Sequence, residues 1–263
     1  MPAFEAVEGM PYWIDLATSQ PLKSTYFYSR LLGWDISEDA YRIARKEGLP
    51  VAGFIPQRDG ATATATDTWV VYFFTRDLAR DRAAVERLGG TVLASSEVAL
   101  GEMSLCADPS GAMFGLIRPA GEEQFIAAGE PGTAVWHEYV AAGSAKECID
   151  FYGELLDWEV RYSADYYIAL RDGAPFLGLR DLSNEERFRD MAGYWDAFLG
   201  VPDVAAAASR VQGLGGTVTA GPAASPFGPL LFAADATGAK LTLCEVEEPA
   251  PEEFSEADSI LDL

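Results

Sequence analysis

Histidine and cysteine are scarce in this sequence. Its 263 residues include one histidine, His137, and three cysteines. The odd cysteine count and the lack of any C-x-x-C pair argue against a disulfide framework and against a cysteine-ligated zinc site. A single histidine also excludes, within one chain, the two-histidine, one-carboxylate set that holds non-haem ferrous iron. We therefore predict no metal ion and no other cofactor.

Basic residues are also few. Lys and Arg number 19 against 41 Asp and Glu, which gives a formal net charge of -22. A surface of that sign repels phosphate backbones and anionic lipid headgroups. No apolar run approaches the roughly 18 residues of a membrane span, and the start MPAFEAVEGM lacks the basic and apolar regions of a secretory signal. We expect a cytoplasmic protein, monomeric or homodimeric, without nucleic-acid or membrane partners.

What the sequence does contain is a long internal repeat. FYSRLLGW returns as FYGELLDW, YRIARKEGLPVAGF returns as YYIALRDGAPFLGL, and DPSGAMFGLI returns as DATGAKLTLC. The separation of about 125 residues is domain-sized, far beyond that of a solenoid repeat. The sequence thus predicts two domains, residues 8–120 and 133–247, followed by an acidic C-terminal tail, residues 248–263.

Each copy carries strand and helix signals in the order βαβββ, twice. PYWIDLAT predicts a short apolar strand, and the next segment predicts a helix with Pro21 in its first turn and Gly33 just past its end. Three short β-rich runs follow. TWVVYFFT then begins a second unit, whose helix has Asp77 as its N-cap. We predict an α+β fold of four βαβββ units paired into two domains.

This pattern resembles the vicinal oxygen chelate superfamily, which includes glyoxalase I, extradiol dioxygenases and bleomycin-resistance proteins. The resemblance is to its tandem two-domain, glyoxalase-like members, and it covers nearly the whole chain except the tail. It rests on the FYSRLLGW and FYGELLDW segments, the two LGGTV segments, and the D-P-S-G and D-A-T-G hairpins. It implies that each domain is a curved mixed sheet around a cup. Function must still be argued from the site, because one fold hosts many chemistries.

Metal-dependent members of that superfamily carry their ligands on four strands of a domain. Beyond the first strand, the resemblance places these positions at or near Gly53, Val70 and Gly115 in the first copy and Gly178, Asp196 and Thr242 in the second. Of these, only Asp196 could bind a metal. Together with His137 or Glu138 it remains one ligand short of a catalytic zinc or nickel site.

The first strand of each copy raises a question of orientation. Side chains alternate along a strand, so Trp13 and Asp15 would line the first cup. Aligning the copies on their tryptophans puts Trp136 and Glu138 in the second cup and gives His137 a structural place facing the helices. A one-residue bulge could instead turn His137 inward. Asp15 and Glu138 are candidate general bases if burial raises their pKa, and hydrogen bonding to their neighbours is the simpler reading.

Aromatic residues on TWVVYFFT and GYWDAFLG would give each cup an apolar wall. The candidate ligand-binding residues are Trp13, Trp69, Tyr72, Phe74, Trp136, His137, Trp195, Asp196 and Phe198. The leading hypothesis is a metal-independent protein that binds, and could transform, a small hydrophobic metabolite or antibiotic-like compound. Two alternatives stay open. One is a metal-dependent glyoxalase-type lyase or isomerase using the second domain, and the other is a non-enzymatic interaction protein whose acidic tail contacts a basic partner.

Overall fold

A computed structural model describes residues 3–57, 67–121, 125–142, 145–163, 166–186 and 191–248. All of the predicted acidic tail beyond residue 248 lies outside these ranges. Within them, the four helices are short, α1 and α3 having 12 residues each, and no helix is long and apolar enough to cross a membrane.

The secondary structure repeats in the second half of the chain. The first half contains β1 (Ala3–Glu5), β2 (Pro11–Thr18), α1 (Pro21–Leu32), β3 (Asp35–Ile36), β4 (Arg42–Lys46), β5 (Leu49–Pro56), β6 (Thr68–Phe74), α2 (Leu78–Arg87), β7 (Thr91–Val98), β8 (Gly101–Ala107) and β9 (Met113–Pro119). The second contains β10 (Phe125–Ala127), β11 (Ala134–Ala141), α3 (Ala145–Leu156), β12 (Glu159–Ser163), β13 (Tyr166–Arg171), β14 (Ala174–Asp181), β15 (Tyr194–Val201), α4 (Val204–Gly213), β16 (Thr217–Ala223), β17 (Leu230–Ala234) and β18 (Lys240–Glu245).

Each half forms its own eight-stranded mixed sheet. The order is β3-β4-β5-β2-β6-β9-β8-β7 in the first and β12-β13-β14-β11-β15-β18-β17-β16 in the second. In both sheets the first strands of the two βαβββ units pair antiparallel at the centre, as β2 with β6 and β11 with β15. The predicted α+β fold of four paired units is confirmed. A separate two-stranded ribbon joins β1 to β10.

The local signals for the helices are present in the structure. Pro21 opens α1, and Gly33 ends it in the left-handed conformation with φ of 71°. Asp77 caps α2 by accepting a hydrogen bond from the Arg80 backbone N–H at 3.0 Å. Asp203 does the same for α4 through the Ala206 N–H at 2.8 Å. The same aspartate cap therefore begins the second helix of each domain.

The two domains share one hydrophobic core. The helix-facing sides of both sheets and all four helices contribute to a single cluster of buried residues. Phe73 of β6 crosses into the second domain, where its ring packs edge-on against Trp195 with centroids 5.0 Å apart. Trp34 and Trp158 are equivalent in the repeat, and each reaches the residues just before the other domain's first strand. The Trp34 indole donates a 2.7 Å hydrogen bond to the Gly132 carbonyl, and the Trp158 indole donates one of 2.7 Å to the Gly9 carbonyl.

The closing turn of the first domain adds a buried polar contact to this interface. Asp108 is 4 % exposed, and its Oδ2 accepts hydrogen bonds from the hydroxyls of Tyr139, at 2.6 Å, and Tyr152, at 3.1 Å, both in the second domain. A buried carboxylate is tolerated where it is fully hydrogen-bonded. The D-P-S-G turn thus links the domains as well as closing a hairpin.

Candidate functional site

The opposite face of each sheet, which we call the cup face, holds a smaller cluster of its own. In the first domain this cluster contains Trp13, Val70, Tyr72, Met103 and Ile117. In the second it contains Phe198, Leu230 and Cys244, with Trp136 packed against them.

Strand register fixes which residues are equivalent. Trp13 lies opposite Tyr72 and Asp15 opposite Val70. In the second domain Trp136 lies opposite Phe198, and Glu138 lies opposite Asp196. The alignment on tryptophans therefore holds, and Asp15 and Glu138 occupy matching places on the cup faces.

Asp15 is a buried carboxyl with neutral hydrogen-bond donors. Its side chain has no exposed surface, and Oδ1 accepts hydrogen bonds from Trp13 Nε1 and Tyr41 Oη, both at 2.8 Å. Burial raises the pKa of Asp15 to about 6, against the lowering effect of these hydrogen bonds. Gly53 lies beside it on β5, where any Cβ would collide with the Asp15 carboxyl and the Tyr41 hydroxyl. The glycine is needed for this close packing.

The buried carboxylate of Glu138, unlike that of Asp15, is paired with a cation. Tyr166 Oη donates to Glu138 Oε2 at 2.6 Å, and Arg180 Nε lies 2.9 Å from Oε1. Arg180 Nη2 also donates to Oε2 at 3.1 Å. Pairing with the Arg180 guanidinium offsets the cost of burying this carboxylate, which is 4 % exposed. Gly178 makes room for the Tyr166 hydroxyl as Gly53 does for that of Tyr41.

Asp196 brings a second carboxyl to the second cup. Its Oδ2 accepts a 2.6 Å hydrogen bond from the Thr242 hydroxyl on β18. Burial raises the pKa of Asp196 to about 7, and the negative charge of Glu138 acts in the same direction. Lys240 Nζ lies 3.8 Å from the centroid of the Tyr194 ring, within cation–π range. The second cup therefore carries the ionisable residues Asp196 and Lys240 at the places where the first cup has the apolar Val70 and Met113.

The side chains at the superfamily's ligand positions do not fit a catalytic metal. Gly115 has no side chain, and any Cβ there would collide with the Tyr72 ring. Thr242 is engaged by Asp196, and Glu138 is paired with Arg180. Among the residues that the structure describes, no group of three or more His, Cys, Asp or Glu side chains is placed to hold a metal ion. A catalytic zinc site needs about three protein ligands.

Two cavities open at matching ends of the cups, and each has a wall from the other domain. The first-cup cavity has a volume of about 540 Å³. Its lining includes Ala17, Ile55, Val70, Tyr72, Leu105 and Met113 of the first domain and Gly193, Tyr194 and Trp195 of the second. The second-cup cavity, about 350 Å³, is lined by Tyr194, Asp196, Gly238 and Lys240 with Asp67, Thr68 and Trp69 from the first domain. Both cups are thus completed across the domain interface.

Not all of the predicted ligand-binding residues lie on a cup face. Trp69 and Trp195 belong to the shared core and donate their indole N–H to Tyr28, at 3.1 Å, and Tyr152, at 2.9 Å. Their edges nevertheless border both cavities and form a wall between them. Phe74 lies elsewhere, in a separate pocket that it lines with residues of the α2 and α3 helices.

His137 also lies off the cup face. It faces Ala197 in the register, as Ile14 faces Val71 in the first domain. Side-chain alternation therefore turns it away from Glu138 and Trp136. The inward bulge considered from the sequence is not seen at this residue. The imidazole borders a third cavity, between the domains.

Sequence reasoning did not identify several side chains of the two sites. Tyr41 and Tyr166, which hydrogen-bond Asp15 and Glu138, stand in register at the start of the repeated YRIARKEG and YYIALRDG segments. That conserved register between copies was an available signal. Arg180 had no such signal, because its counterpart in the first copy is Ile55.

A helix-backed sheet of two βαβββ units, repeated once and open on the cup face, defines the vicinal oxygen chelate fold. The profile of the glyoxalase-like domain matches residues 13–117 and again 139–244. The chain belongs to the glyoxalase-like domain family.

Among its relatives is the anthracycline biosynthesis protein DnrV of Streptomyces peucetius. The two are 29% identical over 269 residues, covering 92% of this chain and 95% of DnrV. Among solved structures, the 2,3-dioxygenase LapB of Pseudomonas sp. KL28 is similar with a TM-score of 0.62 and 13% identity, over 94% of this chain and 96% of LapB. The 2,2',3-trihydroxybiphenyl 1,2-dioxygenase of Sphingomonas wittichii RW1 gives a TM-score of 0.59 at 12% identity, covering 90% of each chain. At these identities the structural matches support the fold alone.

Proposed function

We propose that the first cup binds a flat, largely apolar aromatic molecule of the antibiotic or polyketide type, without a metal ion. The observation that carries this proposal is the 540 Å³ cavity at the domain interface. Its volume is in the range of small-molecule sites, and such sites are mostly apolar with a few polar groups that orient the ligand. Here Gln57, Thr68 and Tyr194 supply polar atoms among aliphatic and aromatic side chains.

The relatives support the chemical class. DnrV is named for anthracycline biosynthesis and is similar to this chain over almost its full length. Anthracyclines are fused-ring aromatic compounds, whose flat faces suit a pocket bordered by Tyr72, Trp69 and Trp195. A ligand of this kind is the partner we propose for the protein.

The geometry favours binding over catalysis in the first cup. Asp15 lies beneath Trp13 and Tyr41 and does not line the cavity. A general base has to come within hydrogen-bond reach of the proton it removes. Glu138, the other candidate base, is held by Arg180 and Tyr166.

The proposal is tested with 1,8-dihydroxyanthraquinone as the probe, by quenching of tryptophan fluorescence and by the shift in Tm. Because Trp69 and Trp195 form one wall, a bound anthraquinone should quench their emission and raise Tm. Ala17→Phe places a ring in the first-cup cavity and should weaken binding by about tenfold or more, that is, by at least about 1.4 kcal/mol. Ala205→Phe, the same substitution at an exposed position of α4, serves as the matched control.

Two results would count against this function. The anthraquinone could fail to quench or to stabilise the wild-type protein at any soluble concentration, or Ala17→Phe could bind it as tightly as Ala205→Phe does. A separate arm adds EDTA. Loss of binding on chelation would instead favour the metal-dependent lyase that uses the second domain.

A further inference from the structure

The third cavity lies between the domains, where β2 and β11 begin. It has a volume of about 230 Å³. Glu5 of β1 and Ala127 of β10 border it, so the β1–β10 ribbon forms one side. None of the fifteen residues that line it also lines either cup cavity. This third cavity, which we call the junction cavity, is therefore separate from the two cup cavities.

Its walls are built from equivalent residues of the two copies. Trp13 faces it together with Trp136, and Val51 together with Phe176. These pairs share an apolar character, as do most of the remaining lining residues. An apolar cavity of this size is a binding site for a small hydrophobic molecule. An engineered cavity of about 150 Å³ already suffices for benzene.

One pair breaks the apolar pattern. Where the first copy has Ile14, the second has His137, and both border the cavity. No described residue hydrogen-bonds the imidazole. Burial lowers the pKa of His137 to about 4, so the ring is neutral at pH 7 and offers one N–H donor and one nitrogen acceptor. His137 is half-buried and borders the cavity, so the hydrogen-bond partner of its imidazole comes from what fills the cavity, either solvent or a ligand.

We infer that the junction cavity is a second ligand site, which binds an uncharged aromatic alcohol of one or two rings through a hydrogen bond between the ligand hydroxyl and His137. The volume sets the size of the ligand. Glu5 at the border and the net charge of -22 disfavour anions. A hydroxyl can both donate and accept, so it pairs with either nitrogen of a neutral imidazole.

The single histidine makes this site directly observable. Protein labelled with 15N in the imidazole gives the signals of His137 alone, and 2-naphthol is the probe. We expect the imidazole signals to shift and to saturate at one equivalent. Naphthalene, which lacks the hydroxyl, should bind about three- to tenfold more weakly, as expected for the loss of one hydrogen bond.

Three variants complete the test. His137→Leu should bind 2-naphthol and naphthalene with equal affinity, measured by calorimetry. Val51→Phe fills the cavity with the side chain that the second copy carries at Phe176, so the fold has a precedent for it, and it should abolish the shift. Ala17→Phe, which blocks the first cup, should leave the shift unchanged.

Each opposite result overturns the inference. 2-Naphthol would lie away from His137 if the imidazole signals do not move or if the wild type binds both probes with equal affinity. It would lie outside the junction cavity if the shift is undiminished in Val51→Phe or lost in Ala17→Phe. A failure here would not affect the first-cup proposal, which is tested with a larger probe and separate variants.

Discussion

Replacement of Asp15 by Asn should stabilise the protein at alkaline pH. The Asp15 carboxyl is fully buried and its neighbours are neutral donors, Trp13 and Tyr41. Burial raises its pKa from 3.8 to about 6. The folded state therefore holds this proton more tightly than the unfolded chain does. The stability that this provides is fully present below pH 4 and is lost as the pH rises through 6.

The magnitude follows from the two pKa values. Each pKa unit corresponds to about 1.36 kcal/mol, so an ionised Asp15 costs the folded state about 3 kcal/mol above pH 7. Asn has the same shape and can accept the two hydrogen bonds through its oxygen, but it cannot ionise. The advantage of Asp15→Asn should grow by about 1 to 2 kcal/mol between pH 5 and pH 8.

Urea unfolding followed by tryptophan fluorescence, at pH 5 and at pH 8, measures this difference. Asp35→Asn, at an exposed position of β3, is the control, and its stability relative to wild type should not change comparably with pH. A stability difference for Asp15→Asn that stays constant between the two pH values would show that the pKa of Asp15 is not raised in the folded state. So would a variant that is less stable than wild type at pH 8, because either result means that burial does not govern this carboxyl.

Three further predictions concern the interface and His137. Gly9 has a φ of 83°, and a Cβ there would collide with the Leu156 carbonyl, so Gly9→Ala should lower the free energy of unfolding by about 3 kcal/mol. Gly48 has a similar φ of 84° but lies in open space, so Gly48→Ala should cost only about 1 to 2 kcal/mol. Equal losses in urea unfolding would contradict this. Asp108→Ala leaves two buried tyrosine hydroxyls without their acceptor and should cost about 2 to 4 kcal/mol by the same assay, whereas a loss under 1 kcal/mol would mean that they find other partners. The imidazole signals of His137 should titrate near pH 4, so stability tied to this residue is lost as pH falls from 6.5 towards 4; a midpoint near 6.5 would show that the ring is not buried.

Local signals predicted most of the fold. Pro21, Gly33 and Asp77 mark helix ends by backbone and capping chemistry that needs no tertiary information, and the repeat then transfers those boundaries to the second half. Period-2 alternation also assigns Trp13 and Asp15 to the cup face, because Asp15 is the only charged residue of PYWIDLAT and so marks one side of the strand.

The same reasoning could not assign the faces of TWVVYFFT. From Trp69 to Phe74 both sides of β6 are buried, one by helices and one by the cup. These residues are all hydrophobic, so alternation has no polar side to mark. For this reason the sequence alone places Trp69 on the same cup wall as Tyr72, although Trp69 belongs to the shared core. The interdomain wall, the Arg180–Glu138 pair and the junction cavity all depend on contacts between distant segments, which sequence periodicity does not encode.

The second copy carries His137 where the first carries Ile14, a difference that is possible only because both copies lie in one chain. Two identical chains related by a two-fold axis would present the same residue on both sides of such a cavity, either two isoleucines or two histidines. The first would leave a ligand hydroxyl unpaired, and the second would bury two imidazoles. Fusion of the copies removes that constraint, so one wall can be apolar and the other polar. The same freedom applies to the cups, where Val70 and Asp196 hold equivalent places. In a symmetric dimer such a site would bind an asymmetric molecule equally well in two orientations. In the tandem chain the two walls differ, so the site can bind that molecule in one orientation.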